Sequence, residues 1–333
     1  MSAAPATAGP RVAVDAAGAR RVLARPAAPA VVFLAVLVVI FGVTANGFFT
    51  FENFRGILAS VAVLGVVAVG VNQVILAGDI DISVGSMLGL CAVAVGAVST
   101  AVGGLILPLL AGMAVGAAVG AVNGSLSTFA RIPSIIVTLG MLYALRGLTL
   151  VITGGDWVTG IPAPTRVLGT GTILGLEVPI LLLLGVAAAV AAAGRFTAWG
   201  RDVHAVGGNR SAARFAGLDV NSVRLRAFVL TGALVGVAAT ILVGRVGSVT
   251  TDTGVGLELQ VIAAVVIGGT SIAGGRGSTL AALIGTVLIG VFLNGLVLLD
   301  VPPVWQNVVL GGLILLAVST DAIRRRVLEG AER

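Results

Sequence analysis

Two acidic residues stand close together in an otherwise apolar part of the chain. Asp79 and Asp81 lie in the stretch LAGDIDISVGS, residues 76–86, between two long runs of Val, Leu, Ala and Gly. Asp81 or Ser83 could cap the first turn of a following helix. Alternatively, the acids could contact a polar solute or a proton inside a membrane. Both roles stay open, because transporters also build polar sites from capped half-helix ends.

A glycine-rich segment, GGTSIAGGRGS at residues 268–278, interrupts the apolar pattern a second time. In a membrane, such backbone is tolerated only where it is buried in protein or faces a water-filled cavity. The segment lacks the Gly-Lys-Ser/Thr ending of a nucleotide-binding P-loop, and the chain contains no Lys. It therefore predicts either a tight turn between two membrane spans or a polar lining, and no ATP site.

The largest polar segment, residues 194–226, contains six arginines and a local plan for a short helix. Asn209 is a favourable N-cap for a helix over residues 211–216, and Gly217 is suited to end it. Two turns of helix are not stable alone. The pattern therefore predicts that this helix lies against a partner surface, with a solvated positive loop as the alternative.

Residues for enzyme chemistry are missing from the sequence. His204 is the single histidine, and no Ser/His/Asp set or metal-ligand spacing occurs. Cys91 is the single cysteine, so the chain cannot form an internal disulfide, and we expect Cys91 to serve packing. We expect no catalytic residue, no bound metal and no cofactor on this chain.

The composition indicates a membrane protein. Hydrophobic residues make up 58% of the 333, charged residues only 10%, and the mean hydropathy is +1.13, whereas a soluble domain carries about 25% charged residues. The net charge of +6 comes from arginines in loops and at the termini. That placement is typical of chains oriented in a lipid bilayer, and it argues against a nucleic-acid partner.

Runs of roughly 20 apolar residues predict about ten membrane-spanning helices and an all-α polytopic fold. The runs lie at residues 28–45, 56–77, 84–101, 104–122, 134–152, 178–194, 227–244, 259–273, 279–299 and 304–320. The run at 28–45 could also be taken for a signal peptide, but it has a poor cleavage site, and we interpret it as an uncleaved first span.

Arginine placement predicts the orientation. With both termini in the cytoplasm, the inner segments hold 16 arginines and the outer loops 3, as the positive-inside rule requires. We therefore expect a disordered cytoplasmic tail over residues 1–27, a transmembrane domain over 28–320 with a cytoplasmic loop at 195–226, and a cytoplasmic tail at 321–333, in the cell membrane.

Three segments together resemble one protein family. LAGDIDISVGSMLGL, GRDVHAVGGNRSAARFAGLDV and VIGGTSIAGGRGSTLAALIGTVLIGVFLNGL are similar, in this order, to the permease subunits of ribose/xylose-type ABC sugar importers. The resemblance covers about residues 30 to 320. It implies a ten-helix, type II ABC importer-like permease that pairs with a second copy or a paralogue. It also implies a cytoplasmic ATPase that hydrolyses ATP and an extracytoplasmic sugar-binding protein.

The resemblance assigns the loop at 195–226 to coupling with the ATPase. The coupling residues it implies are Arg201, His204, Gly207, Gly208, Asn209, Ala212, Ala213, Phe215 and Gly217. A sugar is neutral, so its path needs hydroxyl and amide groups rather than a charge clamp. The candidates for that path are Asn72, Gln73, Asp79, Asp81, Ser83, Ser86, Thr270 and Ser271.

Two other functions compete with the ABC permease. An ion-coupled secondary transporter of a small polar solute would need no ATPase, and Asp79 or Asp81 would carry the coupling ion. A membrane-embedded enzyme is disfavoured by the missing catalytic set. The sequence does not specify the sugar or polyol, because selection would lie mainly with the separate binding protein.

Overall fold

A computed structural model of the chain describes residues 28–315. The two predicted tails, residues 1–27 and 321–333, lie outside the described residues. The regular secondary structure of the described part is helical apart from one short hairpin. Its helices are α1 Ala28–Thr44, α2 Phe51–Leu76, α3 Val84–Val102, α4 Ile106–Thr128, α5 Ser134–Thr153, α6 Ala163–Thr170, α7 Val178–Phe196, α8 Ala198–Gly208, α9 Arg210–Phe215, α10 Val220–Val246, α11 Leu257–Ile267, α12 Thr279–Leu298 and α13 Pro303–Leu315.

The predicted all-α polytopic membrane fold is confirmed. Seven helices are long and apolar enough to cross a membrane, namely α2, α3, α4, α5, α7, α10 and α12. Three shorter apolar helices, α1, α11 and α13, occupy the positions of the other predicted spans. The hairpin joins β1 (Thr172–Ile173) to β2 (Leu176–Glu177) in antiparallel register.

Glycines allow the two central helices α4 and α10 to touch through their backbones. A Cβ atom added at Gly116 would collide with the carbonyl oxygen of Gly232, and one added at Gly232 would collide with that of Gly116. Gly112 and Gly236 face each other in the same way. Such small-residue stripes are how membrane helices approach closely. These glycines therefore serve the packing of α4 against α10.

The connections between helices gather at two ends of the bundle. At the end we call the coupling end, Arg210 donates to the carbonyl of Gly78 at 2.6 Å. At the opposite end, Arg55 pairs with Glu177 at 2.7 Å. Among the described residues, segments that the arginine count predicts to be cytoplasmic lie at the coupling end: Arg131 and Arg210 line one cavity with Gly78, and the N–H of Gly275 donates to the carbonyl of Leu76. Which side of the membrane this end faces stays a prediction from the arginine count.

Three boundaries differ from the sequence prediction. The eighth predicted span, 259–273, is cut short because Gly268 caps α11 and Gly269 adopts a φ of +112°. The predicted span 104–122 becomes α4, Ile106–Thr128, which begins after Gly103 and Gly104, both with positive φ, and ends six residues later than predicted. The helix predicted to begin at 227 begins at Val220, so the last part of the predicted loop 195–226 is helical.

Candidate coupling site at the turn between α2 and α3

The turn between α2 and α3 carries a buried carboxylate held by two arginines. Asp79 is only 3% exposed. Its Oδ2 accepts from Arg224 Nε at 2.6 Å, its Oδ1 accepts from Arg224 Nη2 at 2.8 Å, and Arg210 Nη2 lies 3.0 Å from Oδ1. Such a bidentate arginine fork is among the strong charge-assisted contacts of proteins. Asp79 therefore joins the turn to both α10 and α9.

The sequence placed Arg224 in the predicted loop 195–226. The structure instead places Arg224 in a helix, because α10 begins four residues earlier, and buries it to 8% exposure. The sequence contained a signal for this earlier start, because Asp219 is a favourable N-cap residue. In the structure its side chain accepts from Ser222 N at 3.1 Å. Asp219 followed by apolar residues marks the start of α10 at Val220.

Close backbone packing attaches α8 to the same turn. A Cβ added at Gly207 would collide with the carbonyl oxygen of Leu76, and that oxygen also accepts from Gly275 N at 2.9 Å. His204 Nδ1 lies 3.0 Å from the carbonyl oxygen of Gly275. All three segments that break the apolar pattern thus meet at one place.

A second network holds Asp81 and Ser83. Asp81 Oδ1 accepts from Ser83 N at 2.9 Å and from Ser83 Oγ at 2.6 Å, while Asn123 Nδ2 donates to Ser83 Oγ at 2.9 Å. Ser83 is the N-cap residue of α3 but its side chain makes no cap bond. The turn is therefore fixed by the Asp81 side chain and by α4, and sequence reasoning missed the contribution of Asn123.

The coupling segment itself largely follows the prediction. The short helix α9 spans Arg210–Phe215, and Asn209 Oδ1 accepts from Ala212 N at 3.0 Å, as expected of an N-cap. Gly217 follows with a φ of +84°. Phe215 is 94% exposed. Six further residues of the predicted coupling set are exposed: Arg201, His204, Gly208, Asn209, Ala212 and Gly217.

Ala213 departs from the predicted coupling set. It is 5% exposed and packs into a cluster with Val74, Ala77 and Val206. It therefore fastens α9 to the membrane core and does not face a partner. The exposed residues of α9 lie on the side opposite Ala213, and Phe215 has the largest side chain among them.

The eight predicted path residues are buried in the single chain. Thr270 Oγ1 donates to Asn72 Oδ1 at 2.7 Å and links the glycine-rich segment to α2. Within residues 28–315, Asn72 Nδ2, Ser86 Oγ and Ser271 Oγ have no hydrogen-bond partner. Gln73 is also buried. A role in the path stays a prediction for these residues.

A cavity of about 970 Å³ opens beside the coupling segment. Asp79, Arg210 and Arg224 form part of its wall, together with Arg131 and Arg214. Arg131 and Arg214 are both exposed. The coupling end thus presents a basic cavity next to an exposed aromatic side chain.

The three segments of this site lie within a stretch that matches a known family. Residues 53–318 match the family described as branched-chain amino acid transport system / permease component. The chain belongs to this family. It is therefore a multi-pass membrane subunit of an ABC-type transport system and not an enzyme, as its three motifs predicted.

The relatives are import permeases. The chain is 38% identical over 291 residues to the Autoinducer 2 import system permease protein LsrC of Yersinia enterocolitica serotype O:8 / biotype 1B, covering 87% of this chain and 80% of that protein. It is 38% identical over 293 residues to the protein of that name from Yersinia pseudotuberculosis serotype O:3 (strain YPIII), covering 87% and 82%. No solved structure matches the chain significantly.

Proposed function

We propose that the chain forms the membrane path of an ABC importer for a neutral, hydroxyl-rich solute of the sugar class. A cytoplasmic ATPase would supply the energy, an extracytoplasmic binding protein would deliver the solute, and a second copy or a paralogue would complete the membrane unit. Membership of the permease family supports this proposal, as does the likeness to permeases of autoinducer 2 import systems. The sequence offers no P-loop of its own.

The observation that carries the proposal is the outward face of α9. Phe215 is 94% exposed on a helix of six residues. Burying a Phe side chain yields about 1.5–3 kcal/mol, and a helix this short needs a surface to rest on. Its inner side rests on the chain through Ala213. Its outer side is therefore suited to a groove on the ATPase.

The contacts of Asp79 supply a mechanical link from that face to the membrane core. Arg210, the first residue of α9, reaches both Asp79 and the carbonyl of Gly78. Asp79 in turn holds Arg224 on α10. A displacement of α9 by the ATPase would therefore move the turn between α2 and α3 together with α10. Discrete packed elements of this kind transmit motion because they do not deform continuously.

The same contacts disfavour the ion-coupled alternative. The carboxyl of Asp79 is occupied by two arginines, and that of Asp81 by Ser83 and Asn123. We therefore expect uptake to follow ATP and to survive an uncoupler while ATP is held high. Uptake that collapses with the uncoupler alone, or that proceeds without an ATPase, would favour the secondary transporter.

Replacement of Phe215 tests the docking face. In membranes that contain the whole complex, Phe215→Asp should abolish co-purification of the ATPase and solute-stimulated ATP hydrolysis, while the permease still folds. Phe51→Asp is the matched control, because Phe51 is 77% exposed at the opposite end of the bundle. If Phe215→Asp retained the ATPase at the parental level, α9 would not be the docking element.

A further inference from the structure

The connection between α10 and α11 does not stay at the opposite end of the bundle. Val249 pairs there with Val158, and both lie against Gly96 of α3. Further along, the carbonyl oxygen of Thr253 lies 2.7 Å from where a Cβ of Gly89 would be, and that of Gly254 lies 2.5 Å from where a Cβ of Gly85 would be. The segment 249–254 therefore runs down α3 in the opposite direction.

This descent covers a length of about half the thickness of a bilayer core. Gly96 and Gly85 are eleven positions apart on α3, which is about 16 Å of helical rise, whereas the bilayer core is about 30 Å thick. The glycines of α3 provide the room, because a side chain at Gly85 or Gly89 would displace the segment. Residues 247–256 form no helix, so polar backbone lies at this depth.

Only part of that backbone is satisfied by the chain. The N–H groups of Thr253, Val255 and Leu257 donate to the carbonyls of Thr250, Asp252 and Gly254. In the described part of the chain, the N–H groups of Thr251 and Asp252 find no acceptor. An unsatisfied backbone group in lipid costs several kcal/mol, so such backbone occurs only against protein or a water-filled cavity.

Two carboxyl groups accompany the segment. Asp252 is exposed. Glu258, in the first turn of α11, is 8% exposed, and its Oε2 lies against Gly85 without a hydrogen-bond partner among residues 28–315. Acidic side chains are costly in hydrocarbon and normally mark a solute or ion pathway. The face that carries Asp252 is therefore not lipid-facing.

We propose that residues 250–256, together with Asp252 and Glu258, form a wall of the translocation path that holds a neutral, hydroxyl-rich solute. This inference rests on the proposed function and names its solute site. The carboxyl oxygens accept hydrogen bonds from solute hydroxyls, and the free N–H groups of Thr251 and Asp252 donate to solute oxygens. The predicted spans 227–244 and 259–273 leave residues 245–258, which include Asp252 and Glu258, as a plain connection, because hydropathy does not show that a connection folds back.

Chemical labelling tests whether this wall is in water. Asp252→Cys and Val255→Cys, each in a Cys91→Ala background, should react with the charged, membrane-impermeant reagent sulfonatoethyl methanethiosulfonate in the assembled complex. Leu184→Cys on α7 is the control, since Leu184 is as exposed as Val255, at 54%, on a fully apolar helix surface. Both wall positions should react at least about tenfold faster than the control, because only a hydrated thiol ionises to the reactive thiolate.

Two labelling results would overturn the inference. In the first, Asp252→Cys and Val255→Cys react as slowly as Leu184→Cys, which would place both positions in lipid or in a dry interface. The other is spontaneous disulfide formation between Asp252→Cys in two permease copies together with protection from the reagent, which makes the face a contact between copies.

Uptake separates the solute site from the coupling site. The probe is whichever of D-ribose, D-xylose and autoinducer 2 the parental complex imports. Glu258→Ala should raise its KM about tenfold or more through the lost hydrogen bonds, Glu258→Gln should restore most of the affinity, and ATPase co-purification should be unchanged. An unchanged KM in Glu258→Ala would contradict the inference alone. If the parental complex imported none of the three solutes, the proposed function would be contradicted. The labelling experiment would still show whether residues 250–256 are exposed to water.

Discussion

Asp79 and Arg224 are separated by 145 positions in the sequence and form a buried bidentate ion pair, with nitrogen–oxygen distances of 2.6 and 2.8 Å. The pair fixes the turn between α2 and α3 to the first turns of α10. Arg210 adds a third contact from the coupling segment, with its side chain 41% exposed. The turn is therefore anchored on one side in the membrane core and linked on the other to the element that a partner can reach.

Removing one member of this pair should destabilise the protein strongly. Arg224→Gln leaves Asp79 buried with only Arg210 as its cation, and breaking a buried pair in this way costs about 3–5 kcal/mol. Thermal unfolding of the purified permease in detergent measures the loss. Arg226→Gln is the matched control, since Arg226 is exposed on the same helix, and we expect its unfolding temperature to stay close to the parental value.

Removing both charges should be less harmful than removing one. In the double variant Asp79→Asn/Arg224→Gln no buried charge is left without its partner, so part of the lost stability should return. A double variant as unstable as the sum of the two single variants would show that the two side chains do not act as a pair.

The glycine contact between α4 and α10 is a second test of the fold. Gly116→Ala places a methyl group against the carbonyl oxygen of Gly232, and overpacking of this kind costs about 1–3 kcal/mol. Gly140→Ala is the control, because nothing lies within 4 Å of a Cβ added there. Thermal unfolding should distinguish the two, and equal stability would mean that α4 and α10 are not in backbone contact.

The same substitution at two adjacent alanines of α9, Ala212 and Ala213, should have different effects. Ala213 is buried in the cluster with Val74 and Val206, so Ala213→Glu places a carboxylate in an apolar site and should prevent stable folding. Ala212 is exposed, so Ala212→Glu should give a folded permease that loses the ATPase. Size-exclusion profiles report the first effect and co-purification of the ATPase the second. A folded Ala213→Glu protein would contradict the inward orientation of this residue.

Local signals in the sequence were sufficient for the short elements. Asn209 and Gly217 mark the ends of α9 through side-chain capping and a left-handed backbone, and both effects act within a few residues. The apolar runs likewise reveal the spans, because a lipid core imposes a length on each helix. These features depend on neighbours in the chain, so they can be predicted without the fold.

Contacts between distant segments could not be predicted in this way. Nothing near Asp79 in the sequence indicates Arg224, and nothing near Gly85 indicates that Thr253 and Glu258 lie beside it. Helix rotation also decides which residues of α9 face inward, and six residues provide too little periodicity to show it. As a result, Ala213 was placed on the docking face and Glu258 in a loop.

The sidedness of the coupling end provides the last test. The arginine count puts residues 195–226 in the cytoplasm and residues 153–177 outside, and Ser211 and Thr159 are exposed in these two segments. In a Cys91→Ala background, Thr159→Cys should react with an impermeant thiol reagent added to intact cells, whereas Ser211→Cys should react only after the membrane is opened. Each single-cysteine variant serves as the control for the other, because Cys91 is the only native thiol. Labelling of Ser211→Cys from outside would place α9 on the wrong side of the membrane for a cytoplasmic ATPase, and the coupling role of α9 would then have to be abandoned.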